Sequence, residues 1–472
     1  MKTLSKIALA AMAVLLVGSV VCYHERMFAD TAFIGFSIIN NQEFAIQHGR
    51  NGAFISQLIP MLGAKLHLPL KALLIGYSVG FNLFFFAVAA VLVYAYRQYK
   101  LAILMALYYV LFITHSYYWA CTEVSLAIAW MFLLLGTLLY FGKRKIHPAI
   151  TLVPFVLLAY CTISTHLITL IPTAFLWLYF ILDKDEWPYS LKQSILFTAV
   201  LAAVVAVRSL STAASHHPYE NSIVHDVTHF SIADIIHTFS SPVVTTFFNR
   251  VATIYWPAIP VFIAGIIALF RQGKKLLAVY SIVAVLGYIV IMGLAYGNLD
   301  NNVLLFHIEA EWASLAVIAA APFVTAFLPA INARMAVVAL SLLFVVRFLY
   351  IGNACSLFHW RVTFEQKVLA EMRKKGISKM AIVETAELRE KLMLTWALPE
   401  ETMLLSAEAG EMPQRTFFLV NPDDKDALQT AADPKMFKSA FGPIDKRGLN
   451  ATYFAIDTTT PYKVVTYAEL FK

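Results

Sequence analysis

The sequence predicts an all-α polytopic membrane protein with a small α/β domain at its C-terminal end. The hydrophobic fraction is 60%, the charged fraction is only 14% and mean hydropathy is +0.70, a composition that soluble domains do not have. Charge is also uneven, because residues 1–352 hold 20 Lys/Arg against 13 Asp/Glu, whereas residues 353–472 hold 16 of each. The excess of +7 therefore lies in the apolar part, where it orients spans and indicates no nucleic-acid partner.

Apolar stretches divide residues 1–353 into about eleven transmembrane helices. A helix that crosses a hydrocarbon core about 30 Å thick needs roughly 20 apolar residues, and this length defines each span. The predicted spans, in chain order, are 7–23, 72–95, 101–115, 122–141, 149–164, 167–182, 193–209, 251–270, 276–296, 311–328 and 336–353. The first segment could instead be a cleaved signal peptide, since Lys2 and Lys6 precede an apolar stretch that ends in small residues.

Positive charge sets the direction of the spans. Short loops rich in Lys and Arg, such as Lys143-Arg144-Lys145, alternate along the chain with loops that nearly lack them. The basic loops are expected to face the cytoplasm. An odd number of spans then places residues 354–472 on the outer face as a soluble domain, on the same side as outer loops 24–71 and 210–249 of the membrane domain 1–353.

Residues 354–472 predict a small α/β domain that packs on the outer mouth of the membrane part. Segment 361–375 is charged and typical of a helix, and the Gly376 that follows predicts its end. Apolar and β-branched runs predict strands at 379–384, 415–420, 451–456 and 463–467. The four cysteines of the chain stand singly, so they indicate neither a disulfide framework nor a metal site.

Acidic residues are concentrated on the predicted outer side. Only three of the 13 acids in residues 1–352 fall in a cytoplasmic loop, so we expect the polar chemistry to face outward. Asp30 follows the first span, and Glu123 begins the fourth span, where an acid is unfavourable unless it is paired or lines a watery cavity. We expect the two carboxylates to face each other across a cleft, although Glu123 would serve equally well as a helix cap.

The order of elements around Asp30 resembles the multi-spanning glycosyltransferases of the GT-C superfamily, such as protein mannosyltransferases and aminoarabinose transferases. In the first outer loop, Asp30-Thr-Ala-Phe-Ile-Gly-Phe36 precedes Gln47-His-Gly-Arg-Asn51, and a second span follows. The resemblance implies a polyprenyl-phosphate-linked sugar donor, a catalytic role for Asp30 and a second acid at the fourth span, where Glu123 stands. Thr31 stands where many relatives have an acid, which favours Asp30 as a lone general base over half of a metal site.

Sugar transfer from a lipid phosphate also needs positive groups that hold the leaving phosphate. Arg208, Arg250 and Arg347 lie at or near the outer ends of spans, where a guanidinium could bind a phosphate through two hydrogen bonds. Each could instead reach to the interface or pair with an acid such as Glu309. These three arginines, with Glu309 and with His166 in a short outer turn, are the predicted phosphate- or substrate-binding residues.

A histidine-rich outer loop offers one further candidate. His225 and His229 stand at i and i+4, a spacing that could place two imidazoles on one helix face and bind a divalent metal ion. No complete ligand set accompanies them, so the sequence assigns no metal site and no certain cofactor.

The leading hypothesis is an inverting glycosyltransferase of a bacterial inner membrane. It would transfer a sugar from a polyprenyl-phosphate-linked donor, at the outer face, to a glycan, lipid or protein acceptor. The expected partners are the donor, membrane lipid and the acceptor, and no nucleic acid. The alternatives are an O-antigen ligase or polymerase that uses the histidine-rich loop, a transporter or lipid flippase, and a non-catalytic scaffold.

Overall fold

The computed structural model describes residues 1–183, 186–214, 229–297 and 305–471 and is mostly helical. The helices of the first 330 residues are α1 (Lys2–Val21), α2 (Asp30–Asn41), α3 (Phe54–Lys65), α4 (Leu70–Ala90), α5 (Tyr99–Leu111), α6 (Glu123–Lys143), α7 (Pro148–Thr165), α8 (Leu170–Leu182), α9 (Leu191–Ala214), α10 (Ile232–Thr238), α11 (Pro242–Thr253), α12 (Ala258–Arg271), α13 (Lys275–Tyr296) and α14 (Leu305–Pro322). Two of them continue through a π-turn: α4 reaches Ala95, and α14 passes through Phe323–Phe327 into one more helical turn, Leu328–Ala330.

The remaining elements begin with one long helix and alternate between helix and strand. They are α15 (Ala333–Lys374), β1 (Lys379–Val383), α16 (Ala386–Leu392), α17 (Leu398–Glu408), β2 (Thr416–Val420), α18 (Lys425–Ala432), β3 (Met436–Ser439), β4 (Gly442–Asp445), β5 (Lys463–Val465) and α19 (Tyr467–Leu470). This alternation confirms that the tail contains both helices and strands.

Eight helices in the described part of the chain are long and apolar enough to cross a membrane, as expected of a helical membrane protein. They are α1, α4, α6, α7, α9, α13, α14 and α15. The segment Ile232–Thr253 and helix α12 meet at 87° and would together make a ninth. Each predicted span except 251–270 falls mainly on one helical segment, whereas 251–270 crosses the 87° bend between α11 and α12. Because α5 and the segment Leu167–Leu182 are also shorter than a full span, the count of eleven stays a prediction.

Helix α5 lies at the centre of the helical part. All of its residues from Leu101 to Leu111 are buried, and it packs against α1 and α14. A helix enclosed by other helices presents no face to lipid, so it need not match the thickness of a bilayer. Its short length and its apolar sequence after Lys100 are both consistent with this central position.

Helix α15 runs without interruption past residue 353, where the last span is predicted to end and a separate domain to begin. The predicted helix 361–375 is the second half of this one helix. No proline interrupts the segment, and helix formation continues until Gly376, whose φ of +65° favours glycine and ends the helix as predicted.

The C-terminal elements form a three-stranded parallel sheet in the order β2-β1-β5, and β3 pairs with β4 in an antiparallel hairpin. Lys379 is opposite Thr416 and Met380 is opposite Lys463. Three predicted strands are confirmed, but the strand predicted at 451–456 is wrong, because that segment forms turns and irregular chain. Its apolar side chains are buried against other elements instead of pairing in the sheet, and the hairpin was not predicted.

Helix α2 carries the contact between the C-terminal elements and the rest of the chain. The ring of Phe36 lies 5.5 Å from that of Phe437 and 4.8 Å from that of Phe454. Asn40 Oδ1 accepts a hydrogen bond from the backbone N–H of Asn450 at 2.8 Å. The tail therefore packs directly on the helix that Asp30 begins.

Candidate functional site

A cavity of about 200 Å³ lies where the first turns of α2 and α6 meet the loop that precedes α3. Asp30 is the first residue of α2, Glu123 is the first residue of α6, and both line the cavity. The other lining residues are Ile34, Gln47, His48, Arg50, Trp119, Cys121, Thr122, Val124, His166, Tyr296, His307, Ala310 and Glu311. The two acids singled out in the sequence thus share one cavity with three imidazoles and one guanidinium.

A short β-bridge brings the two acids together. Met27 and Trp119 pair in an antiparallel bridge shortly before the two residues at which α2 and α6 begin. Next to the bridge, the buried guanidinium of Arg26 donates a hydrogen bond to the carbonyl of Tyr117 and lies over its ring at 4.4 Å. These contacts fix the register of the two loops and hence the approach of the two carboxyl groups.

The surroundings of Asp30 favour its protonated form. Burial, followed by the neighbouring Glu123 carboxylate, raises the pKa of Asp30 from 3.8 to about 6. The backbone N–H at the start of α2, the Trp119 side chain and Arg50 act in the opposite sense and limit the rise. Asp30 therefore titrates close to neutral pH, the range in which a carboxylate is an effective general base.

Glu123 is paired with Arg50. Arg50 Nη1 lies 3.1 Å from Glu123 Oε2, and both side chains are mostly buried. The loop that carries Arg50 is fixed by a close approach to α6 and α7, because Trp130 Nε1 donates to the Gly52 carbonyl at 3.1 Å. A Cβ at Gly52 would lie only 1.9 Å from Thr165 Oγ1, so glycine is required there.

Arg208 reaches the same loop from α9. Its Nη2 donates to the His48 carbonyl at 3.2 Å. His166 lines the cavity between α7 and α8, and burial, then the charges of Arg50 and Arg208, hold the pKa of this imidazole well below 6.5. Arg50 lines the cavity beside this neutral imidazole, and Arg208, which is not a lining residue, contacts the same loop at His48, so this side of the cavity is positively charged and suited to an anion.

Arg347 lies away from the lining of this cavity. Its guanidinium is fully buried and donates to Val110 O at 2.7 Å, Ile254 O at 2.5 Å, Ile113 O at 3.1 Å and Thr114 Oγ1 at 2.6 Å. Val110 lies in the last turn of α5, where helical carbonyls lack partners within the helix, and Ile113 and Thr114 follow directly after that helix. The hydrogen bonds of the Arg347 guanidinium, which lies inside the last span, thus go to oxygens of the protein itself.

Glu309 has a similar structural setting. It accepts hydrogen bonds from Thr114 N at 2.8 Å, Ser116 N at 2.7 Å, His115 Nδ1 at 2.8 Å and Tyr255 Oη at 2.6 Å. The carboxylate therefore organises the loop between α5 and α6 from outside the cavity. Arg250 lies half-buried in the last turn of α11 and does not line the cavity either.

Several lining residues were not singled out in the sequence as site residues. Arg50 and His48 belong to the motif Gln47-His-Gly-Arg-Asn51, which gave the signal that could have identified them. Glu311 and His307 lie on α14, and Glu311 Oε2 is buried with no hydrogen-bond partner among the described residues. Only the rotation of α14 decides that Glu311 faces the cavity while its near neighbour Glu309 faces α5.

The histidine-rich loop is only partly described. His216, His217 and His225 lie outside the described residues, so the predicted pair of His225 and His229 is not seen. His229 and His237 line a separate cavity of about 310 Å³ beside α10. Within the ranges that the structure covers, no group of three or more His, Cys, Asp or Glu side chains is placed to hold a metal ion.

Comparison with other proteins adds no relative. No protein-family model matches the chain, and no match is found among the curated proteins or the solved structures.

Proposed function

We propose that this protein is an integral-membrane glycosyltransferase of the GT-C type, which transfers a sugar from a polyprenyl-phosphate-linked donor to an acceptor hydroxyl. The observation that supports this proposal is the composition of one cavity. A carboxyl group with a near-neutral pKa, Asp30, shares the cavity with the Arg50–Glu123 pair, and Arg208 and His166 lie beside them. A base and an anion-binding wall are the two parts that this reaction requires.

In the proposed reaction Asp30 accepts the proton of the acceptor hydroxyl as its oxygen attacks the anomeric carbon of the donor. The new glycosidic bond forms as the bond between that carbon and the phosphate oxygen breaks, and the polyprenyl phosphate leaves with the bonding electrons. Arg50 and Arg208 stabilise the negative charge that develops on the leaving phosphate. Attack opposite to the leaving group inverts the anomeric configuration.

The proposal assigns phosphate binding to the wall formed by Arg50, Arg208 and His166. Arg347 and Glu309 are assigned to the support of the loop between α5 and α6, because their hydrogen bonds go to the C-terminal end of α5 and to that loop. Arg250 has no place in the proposed chemistry.

The proposed location is a bacterial inner membrane, with the cavity and the C-terminal domain on the outer face. This orientation is supported by the basic loops, which would all lie on the opposite side. A C-terminal fusion to alkaline phosphatase, which is active only outside the cytoplasm, tests it. We expect an active fusion, and a C-terminal fluorescent protein that folds only in the cytoplasm should be dark.

Turnover in reconstituted vesicles tests the function. The purified protein is incubated with undecaprenyl-phosphate-linked sugars, labelled in the sugar, and with a bacterial membrane extract as the source of acceptors. We expect at least one donor to yield both free undecaprenyl phosphate and a labelled glycoside. Movement of an intact donor across the vesicle membrane without a glycosidic product would instead identify a transporter, and the proposal would be abandoned.

A further inference from the structure

The segment between α1 and α2 is held by the C-terminal elements, and helix α17 makes this contact. Glu408, near the end of α17, accepts a hydrogen bond from Tyr23 Oη at 2.5 Å and lies 2.7 Å from His24 Nε2. Burial alone would raise the pKa of Glu408, but the hydrogen bonds from His24 and Tyr23 lower it, so this acid holds the start of the segment as a carboxylate.

The other end of the segment is held by Glu401, two turns earlier on α17. Glu401 Oε1 accepts a hydrogen bond from the backbone N–H of Ala29 at 2.9 Å. Ala29 has φ of +47° and ψ of −113°, a conformation that a residue with a Cβ rarely adopts. Such a turn is strained and persists only where its surroundings determine it. Asp30 follows directly, so this turn sets where Asp30 begins α2.

Glu401 is itself fixed by a buried arginine on α15. Arg361 Nε lies 2.7 Å from Glu401 Oε2, and Arg361 Nη2 lies 2.7 Å from Glu401 Oε1, a two-bond pairing that holds the carboxylate in one orientation. A second acid, Glu365, lies 3.0 Å from the same Nε. All three side chains are almost completely buried, so the arrangement is shielded from water and from salt.

The same arginine also contacts the residue before the turn. The Arg361 guanidinium lies 4.9 Å from the centre of the Phe28 ring, a cation–π contact. Phe28 is wedged edge-on between Phe306 at 5.1 Å and Phe358 at 5.3 Å. Phe306 directly precedes His307, which lines the cavity. Arg361 therefore holds the Phe28 ring directly and, through Glu401, the backbone N–H of Ala29.

We propose that Arg361 and Glu401 are positioning residues for Asp30, so that the C-terminal domain is a working part of the site and not an appended module. The tail would set the turn at Ala29, and that turn would aim the Asp30 carboxyl into the cavity. The role of Asp30 as a base rests on the proposed function, whereas the control of the turn by Glu401 does not.

Hydrogen exchange read by mass spectrometry tests the control of the turn without any substrate. In Glu401→Ala the Ala29 amide loses its acceptor, while Glu365 remains to neutralise Arg361, so the protein is expected to fold. We expect the peptide that covers residues 27–34 to exchange roughly tenfold faster, the effect of one lost hydrogen bond. Glu401→Gln keeps an oxygen acceptor for the amide and should restore most of the protection.

Glu400 provides the matched control. It is the neighbouring acid on α17 and equally buried, but it accepts hydrogen bonds from Ser439 Oγ at 2.6 Å and from the Ala440 N–H at 2.8 Å, inside the C-terminal domain. Glu400→Ala should leave the exchange of residues 27–34 unchanged. Equal acceleration in Glu400→Ala and Glu401→Ala would mean general loosening of the domain and would overturn the proposal. Unchanged exchange in Glu401→Ala would overturn it directly.

Kinetics then separate positioning from simple stability. With a donor that the wild-type protein turns over, Glu401→Ala should lower kcat at least roughly tenfold and leave the KM for the donor within about twofold, because the anion-binding wall is untouched. Glu401→Gln should recover most of kcat. A rise in KM with unchanged kcat would contradict the positioning role. If Glu401→Ala speeds exchange only in residues 27–34 but the wild-type protein turns over no donor, the role of Glu401 in setting the turn stands and the proposed glycosyltransferase activity is rejected.

Discussion

Arg50 Nη1 lies 3.1 Å from Glu123 Oε2, in the cavity that also contains Asp30. The two acids of the cavity are therefore not equivalent. Glu123 has a guanidinium partner and orients it, whereas Asp30 makes no ion pair with any other residue in the described ranges. This division is what a base and a phosphate-binding group placed side by side require.

Replacement of Arg50 tests its assignment to the leaving phosphate. Arg50→Ala should raise the KM for a polyprenyl-phosphate-linked sugar at least roughly tenfold, since a hydrogen bond to a charged group contributes about 1.5–3 kcal/mol. Arg50→Lys keeps the charge but not the two-pronged geometry and should give an intermediate KM. Arg334→Ala, at an exposed position outside the cavity, is the control. An unchanged KM in Arg50→Ala would remove this residue from donor binding.

Arg347 is expected to matter for stability and not for donor binding. Arg347→Ala leaves three backbone carbonyls and one hydroxyl without their donor, so we expect a loss of about 3–5 kcal/mol of folding free energy, visible as a large drop in Tm. Arg208→Ala, next to the cavity, should change Tm little. The assignment fails if Arg347→Ala keeps the wild-type Tm and loses donor binding, because that pattern identifies a phosphate ligand.

The raised pKa of Asp30 predicts a pH-dependent stability that needs no substrate. The folded-state value of about 6 lies above the ordinary 3.8, so the stability that Asp30 contributes is complete below pH 3.8 and is lost as pH rises through about 6. Asp30→Asn removes this loss, so its Tm should exceed the wild-type Tm at pH 8 and not at pH 4.

Asp457 provides a control of opposite sign. Burial alone would raise the pKa of Asp457, but hydrogen bonds from Thr459, Thr460 and Ser378 hold it well below the usual range. Its stabilising contribution is present above the ordinary pKa and is lost as pH falls, so Asp457→Asn should lower Tm at pH 8 more than at pH 3. Parallel pH trends in the two variants would contradict the electrostatic account of Asp30.

Gly52 should tolerate no side chain. A Cβ there would meet Thr165 Oγ1 at 1.9 Å and the Cys161 carbonyl at 2.8 Å, so Gly52→Ala should push the Arg50 loop away from α7 and lower Tm by several degrees. Gly352, inside α15, is the matched control, because a Cβ there meets nothing within 4 Å. Gly352→Ala should be neutral or stabilising by about 0.5–1 kcal/mol. Equal Tm values for the two variants would argue against the described packing of the loop.

Hydropathy was sufficient to place the predicted spans on helical segments, because an apolar stretch of that length has few other stable forms, but it did not show the bend inside 251–270. Hydropathy predicted the end of the last span at residue 353, but α15 continues to Lys374, since charged residues continue a helix as readily as apolar ones. The strand predicted at 451–456 failed for a related reason. β-branched and aromatic residues indicate burial, and Tyr453, Phe454 and Ile456 are buried by packing and not by pairing in a sheet.

The position of Asp30 and Glu123 in one cavity could be predicted, because Asp30 follows a span and Glu123 begins one, both on the predicted outer face. The surroundings of Arg347 could not be predicted. A charge inside a span predicts that it has a partner, but not whether that partner is the end of a helix or a ligand. Glu311 could not be assigned either. It stands two residues from Glu309, and only the packing of α14 determines which acid faces the cavity.

Initial rates measured against pH, for wild type and Asp30→Asn, test the central claim most directly. With a turned-over polyprenyl-phosphate-linked sugar, the wild-type rate should rise through a midpoint near pH 6, as Asp30 loses its proton. Asp30→Asn should be at least roughly 100-fold slower at every pH, while Glu43→Gln, an exposed acid of the same loop, should match wild type. A folded Asp30→Asn variant that keeps the full rate and the same pH midpoint would show that Asp30 is not the base.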